Sequence, residues 1–261
     1  MNKRKNTKKT LDPVLSNASI TCWYERTLRR DIRAMSREVI TAIQSVFNET
    51  GMANDASPAA HFRTLLRQLT TRWGRRFNRL SQEIAKTFYA RTQGHTDRAL
   101  IVQLKAMGFA LDFNMTAEMH NASTAIIAEN VSLIKSIPQN YFTQIESLVM
   151  QSVARGGDLG TLTQQLTDQY CVTARRAQLI ARDQTRKANA TLAVIRQRSL
   201  GITRGIWQHT GAGQHPRADH VAASGREFDL AKGCLISGEY LLPGQKINCG
   251  CIWRPVLPFQ D

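Results

Sequence analysis

Cys249 and Cys251 lie two residues apart near the end of the chain, and three of its six histidines and three of its five cysteines follow Gly201. Residues two apart on a strand point to one face, so a strand through "NCGCIWRP" presents both thiols together. Thiolates so placed can both reach one zinc ion, with His215, His220 or Cys234 completing a tetrahedron. The same spacing suits two reduced thiols buried as small apolar groups in a sheet. In that arrangement His220 bonds nearby backbone and Arg217 closes the turn. The metal-free version is the expected one, so no cofactor is expected, with zinc through His215, His220, Cys249 and Cys251 as the alternative.

Catalysis is not expected. His215 and His220 are five apart with no Glu between them, unlike the His-Glu-x-x-His arrangement on a helix. No Ser or Cys sits beside an evident base and orienting acid. A metal-dependent nuclease needs a cluster of carboxylates, and only Asp219, Glu227, Asp229 and Glu239 stand between Gly201 and the terminal Asp261.

These groups belong to a short β-rich piece that follows a run of helices. The pattern predicts an α+β protein, predominantly helical in its N-terminal and middle regions, with a small C-terminal β-containing domain. A helix is predicted from Cys22 to about Asn48, stopped by a loop holding Gly51 and Pro58. Leu66, Leu69, Trp73, Phe77, Leu80, Ile84 and Phe88 then recur in steps of three and four, one stripe of a helix. Arg72, Arg75, Arg79 and Lys86 fall nearly opposite, facing solvent or phosphate. Two helix-like stretches follow Gly94, the first reaching Phe113, and Ile137-Pro138 marks a break. A further helix from about Asn140 ends at Gly156-Gly157, where Asp158 is a candidate N-cap for a short helix up to Tyr170. A separate long helix ending at Gly201 is almost wholly polar from Arg182 to Asn189, so this part is either exposed or a buried polar network. Arg182 is expected to be buried and bonded to the C-terminal domain. The predicted organisation is a basic disordered arm over 1–20, a helical region over 21–136 and a C-terminal domain over 137–261.

The net charge is +15 and unevenly spread. Residues 1–100 hold 19 Lys and Arg against 8 acids, residues 101–171 hold 3 against 6, and residues 172–201 hold 7 against 1. A segregated field steers polyanions to particular faces. The implied partner is double-stranded DNA bound without sequence preference, through Lys3, Arg4, Lys5, Lys8 and Lys9 of the arm and the Arg72/Arg75/Arg79/Lys86 stripe. No zinc finger, RNA-recognition signature or Gly-rich phosphate loop suggests specific recognition or nucleotide hydrolysis. No run of 18 apolar residues predicts a membrane span. The basic N-terminus lacks the apolar stretch of a secretory signal. Five cysteines, few and odd in number, fit a reducing compartment.

From about Gln139 onward the sequence resembles the phage head morphogenesis family, the Mu F-like minor head proteins. "LIARDQTRKANA", which holds Arg182, is similar to the family's arginine-containing helix, and "GIWQHT" with Trp207 to its Trp strand. Arg217, His220, Gly225 and Phe228 match its R-x-x-H followed by a Gly and an aromatic. "LLPGQKINCGCIWRP" resembles its closing turn, with Pro243, and its paired cysteines. The family usually has Arg where this chain has Gly250, and often an Asp where it reads Gly211-Ala212-Gly213-Gln214, so no role of those residues carries over. The resemblance implies a non-enzymatic minor capsid component, assembled in the host cytoplasm and carried in the virion. It implies portal and capsid proteins and packaged DNA as partners, in head assembly or genome retention and delivery. The competing readings are a metal-dependent nuclease or toxin-like enzyme and a host DNA-binding protein.

Overall fold

The computed structural model describes residues 9–50, 58–156, 158–211 and 216–258. Lys3, Arg4, Lys5, Lys8 and His215, singled out above, lie outside them. Four long helices come first: α1 (Ala18–Thr50), α2 (Pro58–Ala106), α3 (Ala117–Ala154) and α4 (Leu159–Ser199). Short elements follow: β1 (Arg204–Gln208), α5 (Ala218–Ala222), β2 (Glu227–Asp229), β3 (Cys234–Ile236), β4 (Glu239–Leu241) and β5 (Ile252–Val256). The fold is α+β, helices first and β piece last, as the sequence predicts.

Local chemistry sets the helix ends. Asn17 starts α1 by accepting the Ser19 amide at 2.8 Å, and Asp158 starts α4 by accepting those of Gly160 and Thr161 at 3.1 and 2.8 Å. At the other ends, Gly108 and Gly201 adopt φ of 89° and 78°. Their turns fold back so that the amides of Phe109 and Ile202 reach the carbonyls of Leu104 and Gln197, both at 3.0 Å. Because Gly108 closes α2 after Ala106, residues 107–113 are not the helical continuation that the sequence suggested.

The break expected at Ile137-Pro138 is absent, and α3 runs through it. An internal proline costs about 3 kcal/mol or more. Ile134, Ile137 and Tyr141, each at most 1% exposed, fill the core on both sides of it, and burying such side chains is worth about 1.5–3 kcal/mol apiece. Likewise the expected separate helices after Asp158 are a single α4.

The chain divides into two compact units. The helical unit comprises Cys22–Thr87 and Ile127–Ala181. Its core takes Tyr24, Leu28, Ile32, Met35, Val39 and Ile43 from α1, and Phe62, Leu66, Leu69, Trp73, Phe77 and Ile84 from α2. Asp31, 2% exposed, receives the Arg76 guanidinium at 3.1 and 2.6 Å, while Glu38 takes Arg72 and, at 3.0 Å, the Trp73 indole.

The mixed unit comprises Met1–Thr21, Phe88–Ile126 and Arg182–Asp261. It therefore draws on sequence on both sides of the boundaries expected at residues 20 and 136. Its three-stranded antiparallel sheet has the order β2-β1-β5, with Trp207 opposite Trp253, and β3 and β4 form a hairpin. Residues from Lys9 onward are not a free arm. Thr10 bridges Val256, the Leu11 amide donates to the Pro255 carbonyl at 2.9 Å, and Leu257 donates to Lys9 at 2.9 Å. Leu11 and Val14 enter the core with Trp207, Phe228, Leu230 and Trp253. Leu11 and Val14 seat this segment although its context is basic, because the edge strand β5 supplies backbone partners whatever the surrounding charge.

The polar middle of α4 is a buried network. Asn189 accepts from Thr96 at 3.2 Å and donates to the Val14 carbonyl at 2.8 Å. Gln184 and Thr185 are also buried, but Arg182 is exposed, contrary to expectation. The buried arginine is Arg196, one of a run of residues that the α4 face turns inward. Its Nε and Nη2 grip Asp97 at 2.7 and 3.0 Å, its Nη1 donates to the Asn114 carbonyl at 2.7 Å, and its guanidinium lies 4.6 Å from the Phe113 ring centroid.

Candidate metal centre

Three segments of the mixed unit converge on one buried point. Trp207 on β1 is fully buried, and its indole meets the His220 ring edge-on at 5.4 Å and Phe228 at 6.1 Å. The sheet register requires Gly205 beside it, since a Cβ there would stand 2.8 Å from Trp253 and 3.2 Å from Phe228. Gly225, at φ 85°, turns the chain from α5 back to β2 and donates to the Trp207 carbonyl at 2.8 Å. His220, on α5, is 3% exposed and directed at the sulfurs, not at backbone as expected. Its Nδ1 lies 3.4 Å from Cys249 Sγ and 3.6 Å from Cys251 Sγ.

Both cysteines precede β5 instead of lying on it. They converge because the turn before them is held from outside. Asn248, at φ 60°, takes a hydrogen bond from Arg182 on its side chain and gives its amide to Asp183 at 2.9 Å. Arg217 donates to the Ile247 carbonyl at 3.1 Å, closing this turn against the start of α5. Thr210 donates to the carbonyl of Gly250, between the two cysteines, at 2.9 Å. Pro243 is buried in the preceding turn, where Gly244 adopts φ 82° and a Cβ on it would stand 3.7 Å from the Ala190 methyl. Arg182 and Arg217 thus act on the loop that carries the thiols, and neither touches a sulfur.

His220, Cys249 and Cys251 offer ligand atoms that all lie within 4.8 Å of one another, and all three residues are buried. A tetrahedral zinc, with bonds of about 2.3 Å to sulfur and 2.0–2.1 Å to nitrogen, spaces its sulfur and nitrogen ligands about 3.5–3.6 Å apart. The two observed spacings match. His209 stands beyond this set, with its Nδ1 3.6 Å from Cys251 Sγ, and is the fourth donor at hand. The electrostatics favour an anion on one of the two sulfurs, that of Cys249. The Cys251 thiol hydrogen-bonds Cys249 and holds its pKa well below the usual thiol range, at about 5, against the opposing effect of burial. Cys251 is pushed up by that same hydrogen bond and then by burial, so one proton serves the pair. The Trp207 indole N–H, with no acceptor in ordinary hydrogen-bonding geometry, favours the Cys251 anion.

Cys234 is buried among apolar neighbours, where burial raises its pKa, and takes no part. His209 was the residue that sequence reasoning passed over. Its signal was its place two residues after Trp207, just past the end of β1. The DNA candidates lie elsewhere. Arg72, Arg75, Arg79 and Lys86 are exposed on α2, Arg72 is engaged by Glu38, and Lys9 sits at the sheet edge.

A β piece locked by Trp, His and paired Cys, and braced by a polar helix, defines a small Cys/His-centred domain at the end of a helical chain. Residues 143–254 match the family model described as phage Mu protein F like protein, a phage-related family assignment for that domain. A Haemophilus influenzae protein described as an uncharacterized protein is 28% identical over 257 residues, covering 94% of this chain and 55% of its own length. The chain thus spans about half the length of that curated relative. No solved structure matches the chain. No helix among the described residues is long and apolar enough to cross a membrane.

Proposed function

We propose that the chain is a minor head protein of a tailed phage, acting beside the portal in head assembly or in retaining and delivering the genome. The observation that carries this is the family match over 143–254, which takes in the residues that build and brace the Cys/His centre. The role is structural, not enzymatic. His220, Cys249 and Cys251 are only 3–5% exposed, and among the described residues no carboxylate joins the cluster. His220, Cys249 and Cys251, with His209 as the nearest further donor, hold zinc, whose binding energy adds directly to folding. DNA contact is by charge, through the basic N-terminal residues and the exposed Arg75, Arg79 and Lys86.

Mass spectrometry of purified heads tests the assignment. The protein is expected in few copies per particle, and heads assembled without it should fail to retain or deliver DNA. Its absence from particles, with normal heads in a deletion strain, would refute the reading. Elemental analysis of tag-free protein tests the metal, with about one zinc per chain expected.

A further inference from the structure

The helical unit holds a second site unrelated to the metal centre. Arg33, Ser36, Arg37 and Ile40 on one face of α1 and Thr167 and Tyr170 on α4 line an open cavity of about 260 Å³. The two helices are tied at its end by a hydrogen bond of 3.5 Å from Gln44 to Thr163.

Five of these six side chains are polar, and none carries negative charge. Arg33 and Arg37 are four residues apart on a helix, so their like charges repel. The carboxylates of this stretch of α1 are engaged elsewhere, Asp31 by Arg76 and Arg30, and Glu38 by Arg72. On α4 the neighbouring Asp168 accepts from Gln164 at 3.1 Å. Arg33 hydrogen-bonds Tyr170, which raises the guanidinium's pKa and leaves the phenol's own proton free to donate. Arg37 has no ion-pair partner among the described residues. Ser36 is a hydroxyl only 3% exposed, at the base of the cavity. Two guanidinium forks and the hydroxyls of Ser36 and Tyr170 around one concavity provide donors without acceptor charge, while Thr167 gives its own proton to the Thr163 carbonyl at 2.9 Å. A tetrahedral oxyanion with several oxygens fits that set, because each fork and each hydroxyl can meet a different oxygen.

We propose that this cavity is a phosphate-binding site, filled by a free phosphate or by a phosphodiester of a nucleic-acid backbone. The site stands on the cavity alone and does not require that the protein bind DNA.

The test uses the full chain and inorganic phosphate as probe. Phosphate should raise the melting temperature of the wild type above that in chloride of equal ionic strength. The double variant Arg33→Gln/Arg37→Gln, exposed positions whose loss leaves the circular dichroism unchanged, should weaken phosphate by about tenfold or more, because charged hydrogen bonds are removed. Arg63→Gln/Arg67→Gln, two exposed arginines elsewhere on the helical unit, controls for net charge and should respond like wild type. A short DNA duplex separates the two sources. If the backbone is the ligand, phosphate competes with the duplex, and the double variant lowers the slope of log K against log salt by about 1–2. If duplex binding ignores both, the site takes free phosphate. A duplex that never binds refutes the DNA reading but not this site. The site itself is overturned if wild type shows no phosphate effect beyond chloride, or if the double variant keeps it.

Discussion

Replacing Arg196 with Ala should cost far more stability than replacing Arg182, although the family motif draws attention to Arg182. The Arg196 side chain is 2% exposed, and its Nε, Nη1 and Nη2 all have partners at 2.7–3.0 Å. Removing it strands the Asp97 carboxylate, 18% exposed, leaves the Asn114 carbonyl unmet and uncovers the Phe113 ring. Breaking a buried ion pair from one side costs about 3–5 kcal/mol. At roughly 2–4 °C per kcal/mol for a chain of about this length, the melting temperature should fall by about 6–20 °C. Arg182 is exposed and gives one hydrogen bond to Asn248, so Arg182→Ala should cost about 1 kcal/mol or less. A double replacement, Arg196→Met with Asp97→Leu, should recover much of the loss, because it leaves no unpaired buried charge. Thermal melts by circular dichroism, with urea titrations alongside, measure all three. An Arg196→Ala variant that melts within about 2 °C of wild type would refute the argument, as would an Arg182→Ala variant that loses as much.

Four further outcomes follow from the same packing. Gly205→Ala should destabilise by about 1–3 kcal/mol through overpacking, since the new methyl would press on Trp253, Leu230 and Phe228; a melting point equal to wild type would count against the sheet register. Leu11→Ala should cost about 2–5 kcal/mol, whereas a loose arm would show no change in the same melt. A strong chelator should lower the melting temperature, and Cys249→Ser should release the metal, read by elemental analysis; protein that is metal-free and indifferent to chelator would return the thiols to simple apolar burial. Deleting residues 1–8 removes four cations, Lys3, Arg4, Lys5 and Lys8, so the slope of log K against log salt for duplex DNA should shrink by up to about 4, and an unchanged slope would take them out of the DNA contact.

The residues alone determined where helices lie and which face each one buries, because period and end chemistry are local. The Leu66-to-Phe88 stripe, the Asp158 cap and the Gly201 stop needed no knowledge of distant neighbours. So did the pairing of Cys249 with Cys251 and the place of His220 in the terminal domain, since both follow from spacing and composition. What lay beyond reach was decided by long-range packing. Pro138 reads locally as a break, and only the core on either side keeps α3 continuous. Leu11 and Val14 read as incidental in a basic arm until an open strand edge at Val256 gives their backbone a partner. Which arginine of α4 is buried depends on where Asp97 and Asn114 stand, roughly 100 and 80 residues away, and helix position says nothing of that. The Cys/His cluster shows the same division. Sequence supplied the donor types, but the tertiary structure brought His209 to the Cys251 sulfur, left Cys234 aside and turned His220 from backbone to sulfur, because convergence in space depends on turns that Arg182, Asp183, Thr210 and Arg217 hold from other parts of the chain.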